Sequence, residues 1–134
     1  MGNTTIENGN RVASARINTL DEGEVFVFGS NKQGMHGGGA ARFAFDHLGA
    51  EWGVGEGLTG RCYALPTMEG IESFRQAVGR FTECARAHQE LTFLVTAVGC
   101  GIAGYSVGDV APMFREAASL SNVYLPRSFW KALR

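Results

Sequence analysis

The chain has 134 residues, 45% of them apolar and 19% charged, with a formal net charge of −1. That length predicts one domain, residues 1–134, with a single core, and the composition excludes a disordered chain. The near-neutral charge, with Lys and Arg scattered, speaks against a nucleic-acid partner, and no apolar run is long enough to make a membrane span.

Residues 1–10 are polar, with Gly and Asn, and read as a loose N-terminal tail rather than a signal peptide. Asp21, Glu22 and Glu24 read as a solvated turn. Residues 25–28 are β-branched and aromatic and end at Gly29, which predicts a buried strand. Ala40, Ala41, Phe43, Ala44, Phe45 and Leu48 predict a short helix over 39–48, stopped by Gly49. Residues 50–60 are too rich in glycine for regular structure and read as a loop. Residues 61–65 read as a strand ended by Pro66.

Ile71, Phe74, Val78, Phe81 and Ala85 recur at steps of three and four, which predicts a helix over 70–88. Residues 91–98 are nearly all apolar, as in a strand covered on both faces. Val110, Phe114, Ala117 and Ala118 predict a helix over 109–120, with Asp109 as N-cap and Pro112 in the first turn. A start at Val107 would put Pro112 too deep in the helix. Residues 123–125 predict a last short strand, closed by Pro126. The order β, α, β, α, β, α, β predicts an α/β fold: three layers, α/β/α, around a mainly parallel, or mixed, central sheet.

Cys62, Cys84 and Cys100 are odd in number and widely spaced, which argues against a disulfide framework and a zinc site. A reducing, cytoplasmic home is the simplest account. No motif requires a metal or a cofactor.

The 19 glycines crowd into two regions, 29–60 and 99–108. The first includes Gly29-Ser30-Asn31 and, after His36, the run Gly37-Gly38-Gly39-Ala40; the second reads Gly99-Cys100-Gly101-Ile102-Ala103-Gly104-Tyr105. Both follow predicted strands. In parallel sheets ligands sit at the strands' carboxyl ends, so the two loops can face one crevice. Bare main-chain N–H groups from both could surround a phosphate.

Asn31 reads either as an Asx-turn residue or as an amide for a ribose hydroxyl. Cys100 reads as a small buried residue or, given a base, as a nucleophile. His36 reads as a loop side chain at the pocket rim. Tyr105 is the best candidate to cover a ribose or stack on a base; Trp52 reads as part of a lid and Tyr63 as core.

These residues resemble macro domains, and more closely a compact group of bacterial and phage macro-like proteins. The resemblance is carried by Phe-Gly-Ser-Asn at 28–31, His-Gly-x-Gly-Ala-Ala at 36–41, Gly-x-Gly-Leu-x-Gly at 55–60, Tyr-Ala-x-Pro-Thr at 63–67 and Gly-Cys-Gly-x-Ala-Gly-Tyr at 99–105. It implies ADP-ribose, or an ADP-ribosylated molecule, as the partner, with the diphosphate between the two glycine loops. It also implies that Asn31 contacts the distal ribose, with a catalytic positioning role if an ADP-ribosyl bond is hydrolysed. Ala103, Gly104 and Tyr105 would wrap the phosphates and that ribose. The chain departs from the deacetylating members at Ala41, where they carry Asp, and Asp21 is only a weak match for their adenine-binding Asp. Three readings therefore stand side by side: a hydrolase of ADP-ribosyl bonds, a reader or sponge without turnover, and a Cys100-dependent hydrolase. A globular protein whose glycines serve packing alone is the fourth.

Overall fold

Strands β1 (Thr4–Glu7) and β2 (Asn10–Ala13) pair antiparallel across Asn8 and Gly9. Both turn residues have positive φ, 52° and 79°, and Asn-Gly is the favoured dipeptide for such a two-residue hairpin. The expected loose tail is thus corrected. The computed structural model describes residues 2–134, and most of the segment expected to be loose is an edge hairpin set by its turn chemistry.

β3 (Glu24–Ser30) leads to α1 (Gly39–His47), and β4 (Gly57–Thr59) to β5 (Cys62–Pro66). α2 (Ile71–Ala87) follows, then β6 (Thr92–Val95), α3 (Val107–Val110), β7 (Val123–Pro126) and α4 (Arg127–Ala132). The seven strands form one mixed sheet in the order β1-β2-β7-β6-β3-β5-β4. Neighbours from β2 to β5 are parallel, and each edge is finished by an antiparallel pair, β1 on β2 and β4 on β5. The α/β architecture with mostly parallel strands is as the sequence predicts.

Strand alternation sorts side chains onto two faces. Val25, Val27, Tyr63, Leu65, Phe93 and Val95 join Phe74, Phe81, Phe114 and Phe129 in one core cluster. Phe26, Phe28, Cys62, Ala64 and Leu94 join Ile17, Leu20, Ala44 and Leu48 in the other. Each fully buried Phe or Leu contributes about 1.5–3 kcal/mol through the apolar surface it removes from water. The two clusters lie on opposite sides of the sheet, which gives the three layers.

Three local expectations need correction, and one helix was not foreseen. The loop over 50–60 contains the edge strand β4, which pairs with β5 at Gly57–Ala64, Leu58–Tyr63 and Thr59–Cys62. The helix expected from Asp109 starts at Val107, because Ser106 is the N-cap and its Oγ accepts from the Asp109 N–H at 3.1 Å. Pro112 then does sit too deep, and the α-helix gives way to a 3-10 turn over Ala111–Phe114 and a second over Ala117–Ser119. A proline has no N–H for the preceding turn and its ring clashes with the carbonyl there. α4 had no forecast. Glu24 is buried rather than solvated, with Oε1 accepting from Asn3 Nδ2 and the Asp21 N–H, both at 2.9 Å.

Candidate functional site

β3, β5 and β6 end side by side, and their following loops border a cavity of about 280 Å³. Gly29, Ser30, Asn31, Gly37, Gly38, Gly39 and Ala40 come to its wall from the β3–α1 loop. Gly99, Gly101, Ile102 and Ala103 come from the β6–α3 loop. The two glycine loops therefore converge, with Gly38 and Gly101 on one wall.

The chemistry of that wall is main-chain chemistry. The N–H groups of Gly37, Gly38, Gly39, Ala40 and Ala41 have no acceptor among the described residues, and neither do those of Gly101, Ile102 and Ala103. On the first loop these are the orphan donors that any helix start leaves. Gly38 is the N-cap of α1 and offers no side-chain cap. The N-terminal end of α1 adds partial positive charge at the cavity. No charged side chain lines this cavity among the described residues.

Local contacts explain why the first loop keeps its shape. Asn31 Nδ2 donates to the Met35 carbonyl at 3.2 Å, and its Oδ1 accepts from the Met35 N–H at 2.9 Å. Both polar atoms of the side chain thus brace the loop, the Asx-type role of the two considered. His36 is fully buried rather than on the rim, which corrects that expectation. Its Nε2–H donates to the Glu51 carbonyl at 3.0 Å, and its ring packs edge-on against Phe28. Because a carbonyl only accepts, this bond assigns the tautomer and leaves Nδ1 unpartnered. The Lys32 N–H donates to Glu69 Oε2 at 3.0 Å, tying the loop to the segment after β5.

Three expected site residues stand off the wall. Cys100 is half-buried against the core, with Sγ 3.6 Å from the Val98 carbonyl, and burial pushes its thiol pKa up from the usual range. A thiol held protonated in this way is a poor nucleophile. Gly104 closes the turn with its N–H on the Gly101 carbonyl at 3.0 Å. Tyr105 packs on Phe74, ring centroids 5.7 Å apart, and is not on the wall. Trp52 is 51% exposed and lies against Phe45 and His36, also away from the cavity wall. Tyr63 is core.

Sequence reasoning missed Met35, Ala41, Thr67, Met68, Thr96, Ala97 and Val98 on the wall. Thr67 and Thr96 follow the last residues of β5 and β6 directly, so the rule that ligands sit at strand carboxyl ends could have found them. Thr96 Oγ1 donates to the Val27 carbonyl at 2.8 Å, which leaves its lone pairs available as acceptors.

A second cavity of about 580 Å³ adjoins the first and shares Gly39, Ala40, Thr96 and Ala97 with it. Ile17, Phe26, Phe43 and Val95 give it an apolar lining. Together the two border the carboxyl ends of β3, β6, β7 and β2.

No family model, curated protein or solved structure matches the chain. Function must then be read from the site's own geometry and chemistry. Among the described residues no cluster of three or more His, Cys, Asp or Glu could hold a metal ion, and no helix is long and apolar enough to cross a membrane.

Proposed function

We propose that this protein reversibly binds a nucleoside diphosphate of the ADP-ribose type, free or attached to a larger molecule. The observation that carries the reading is the set of unpaired main-chain N–H groups from two loops on one cavity wall. A diphosphate presents many acceptor oxygens and needs donors spread over two sides. Main-chain amides and the end of a helix supply these without a cationic side chain. The adjoining apolar cavity, walled by Phe26, Phe43 and Ile17, suits a flat base. The sequence phrases shared with macro-like proteins point to the same ligand class.

The geometry favours binding over turnover. General acid–base catalysis requires a titratable group within hydrogen-bond reach of the reacting atoms. The wall of the diphosphate cavity carries none among the described residues. Asn31 serves the loop, and Cys100 faces a carbonyl beneath it. A reader or sponge of a nucleotide signal is the function that fits these groups.

Titration calorimetry and thermal denaturation with ADP-ribose, ADP, NAD and inorganic phosphate test this. A ligand that binds only the folded state adds about 2.7 kcal/mol at a hundredfold excess over Kd, which raises Tm by several degrees. ADP-ribose is expected to give the largest rise, with no release of ribose or nucleotide on prolonged incubation with ADP-ribosylated protein. Absence of heat and of any Tm change with all four ligands at about millimolar concentration overturns the reading.

A further inference from the structure

Eight large apolar side chains are exposed among the described residues, and three of them, Met35, Met68 and Ile102, line the first cavity. The adjoining apolar cavity has none of the eight. Sheet order tells which end of the site the three mark. The adjoining cavity borders β2, β7 and β6, whereas Met68 follows β5, which lies on the other side of β3 from β6. A nucleotide with its base against Phe26 and Phe43 and its diphosphate on the bare amides points its distal ribose toward the β5 end. Whatever that ribose carries then meets Met35, Met68 and Ile102.

Two of the three stand on braced backbone. Asn31 grips the Met35 main chain through both its N–H and its carbonyl, and the Lys32 N–H donates to Glu69, the residue after Met68. The segments that carry the two methionines are thus tied to each other, while the side chains stay 57% and 47% exposed. Apolar side chains held in the open on an ordered backbone are what a preorganised contact surface requires.

Resting on the diphosphate reading above, we propose that Met35, Met68 and Ile102 form a subsite for an uncharged aromatic ring joined to the distal ribose. The preferred ligand is then a glycoside of ADP-ribose that bears a neutral ring, in place of ADP-ribose itself. Ribose hydroxyls gain nothing from two thioethers and a branched alkyl chain. A flat ring gains apolar burial and sulfur–aromatic contact, and unbranched methionine side chains adapt to its shape. The ring is uncharged because no charged side chain lines this cavity among the described residues, so a cation or a further anion would lose water without gaining a partner. The occupant is one ring rather than a polypeptide, because three side chains can cover a ring whereas a stable protein interface takes about 800 Å² a side.

The test is calorimetry with ADP-ribose, its methyl and benzyl glycosides in both anomeric forms, NAD, and an ADP-ribosylated peptide with aliphatic neighbours. One anomer of the benzyl glycoside is expected to bind about tenfold more tightly than ADP-ribose, and the methyl glycosides to stay within about twofold of it. NAD, whose ring is a cation, is expected to gain nothing over ADP-ribose. Methyl NMR on labelled methionine should show ring-current shifts at Met35 and Met68 with the benzyl glycoside alone, and none at Met113, which packs on the core. A Met35→Gln, Met68→Gln double variant should bring benzyl glycoside and ADP-ribose to within about twofold of each other, and Met68→Leu should keep most of the preference. Benzyl glycosides that bind no more tightly than ADP-ribose overturn the inference, as does a preference that survives the double variant. Tighter binding of NAD or of the peptide than of either benzyl anomer also overturns it, giving the rim to a cation or to a polypeptide. In each of these cases ADP-ribose still binds and the diphosphate reading stands. If none of the ligands binds, the two fall together.

Discussion

The β3–α1 loop is braced along its length by polar contacts, whereas the β6–α3 loop is packed on the core at its ends and held at its tip by its own turns. In the first, Asn31 clamps Met35, buried His36 reaches Glu51, and Lys32 is tied to Glu69. The segment carrying Gly53 and Val54 presses on Gly34 so closely that a Cβ there would collide with its backbone. In the second, the Cys100, Gly104 and Tyr105 N–H groups bond to Ala97, Gly101 and Gly99 of the same loop, and Ile102 is 84% exposed. One loop is a preorganised wall. The other is anchored at its ends, where Gly99 and Tyr105 meet Phe74, and only its exposed tip at Ile102 has few contacts to lose.

The same contrast separates the glycines. A Cβ at Gly34 would meet backbone, and one at Gly99 would meet the Phe74 ring, both at positive φ (68° and 77°). At Gly37, Gly38 and Gly101 a Cβ would meet nothing within 4 Å, and φ is not positive. The first kind of glycine is required by packing. The second leaves main-chain donors bare at the cavity.

Gly34→Ala should break the comparison most forcefully. Steric overlap with immovable backbone and a left-handed φ together should cost about 3 kcal/mol or more, read by urea denaturation. Gly99→Ala should cost about 2 kcal/mol, because the Phe74 ring can shift a little where backbone cannot. If both variants are as stable as the parent, the division of glycines into two kinds is wrong.

Asn31→Ala should cost about 1–2 kcal/mol through its two hydrogen bonds to Met35 and should weaken ligand binding indirectly. Asn31→Asp keeps an acceptor for the Met35 N–H but loses the donor, so an intermediate stability loss is expected. Equal stability of all three forms, with binding lost, would move Asn31 from brace to ligand contact.

Gly38→Ala and Gly101→Ala sharpen the contrast from the other side. Stability should stay within about 0.5 kcal/mol of the parent. Affinity for ADP-ribose should fall about tenfold, since the added methyl group stands where the ligand approaches. Unchanged affinity in both would argue that the bare amides meet only water.

The smallest effect lies outside both loops. Hydrogen bonds from Arg127, and then from Thr5, lower the Glu7 pKa from 4.5 to about 2. A depressed carboxyl pKa contributes stability that is present above 4.5 and is lost as pH falls through about 2. The pair is exposed, so the parent and Glu7→Gln should differ only slightly in Tm at pH 6 and converge near pH 2. A difference that grows on acidification would contradict the assigned direction.

Much of the fold was legible because period and punctuation agreed. Phe74, Val78, Phe81 and Ala85 face the core as their spacing requires, and alternation in β3 divides Val25 and Val27 from Phe26 and Phe28. The hairpin was misread because a polar composition was weighed above the Asn8-Gly9 turn signal. β4 was misread because three glycine-flanked residues carry no pattern of their own and exist as a strand only through pairing with β5. At the site, the glycine loops were legible as a pair, while Thr67 and Thr96 became visible only once the strand ends were aligned.

By itself the sequence determined the alternating strands, the amphipathic α2 and the two places where the chain could run without Cβ atoms. These are local properties, written in neighbouring residues. Only the tertiary structure decided that Gly34 and Gly99 serve packing while Gly38 and Gly101 border a cavity, and that the Asn31 amide braces the loop. The physical reason is that a missing side chain records a permission. What occupies the vacated space comes from residues distant in the chain: Gly53 and Val54 in one case, Phe74 in another, and open crevice in the rest.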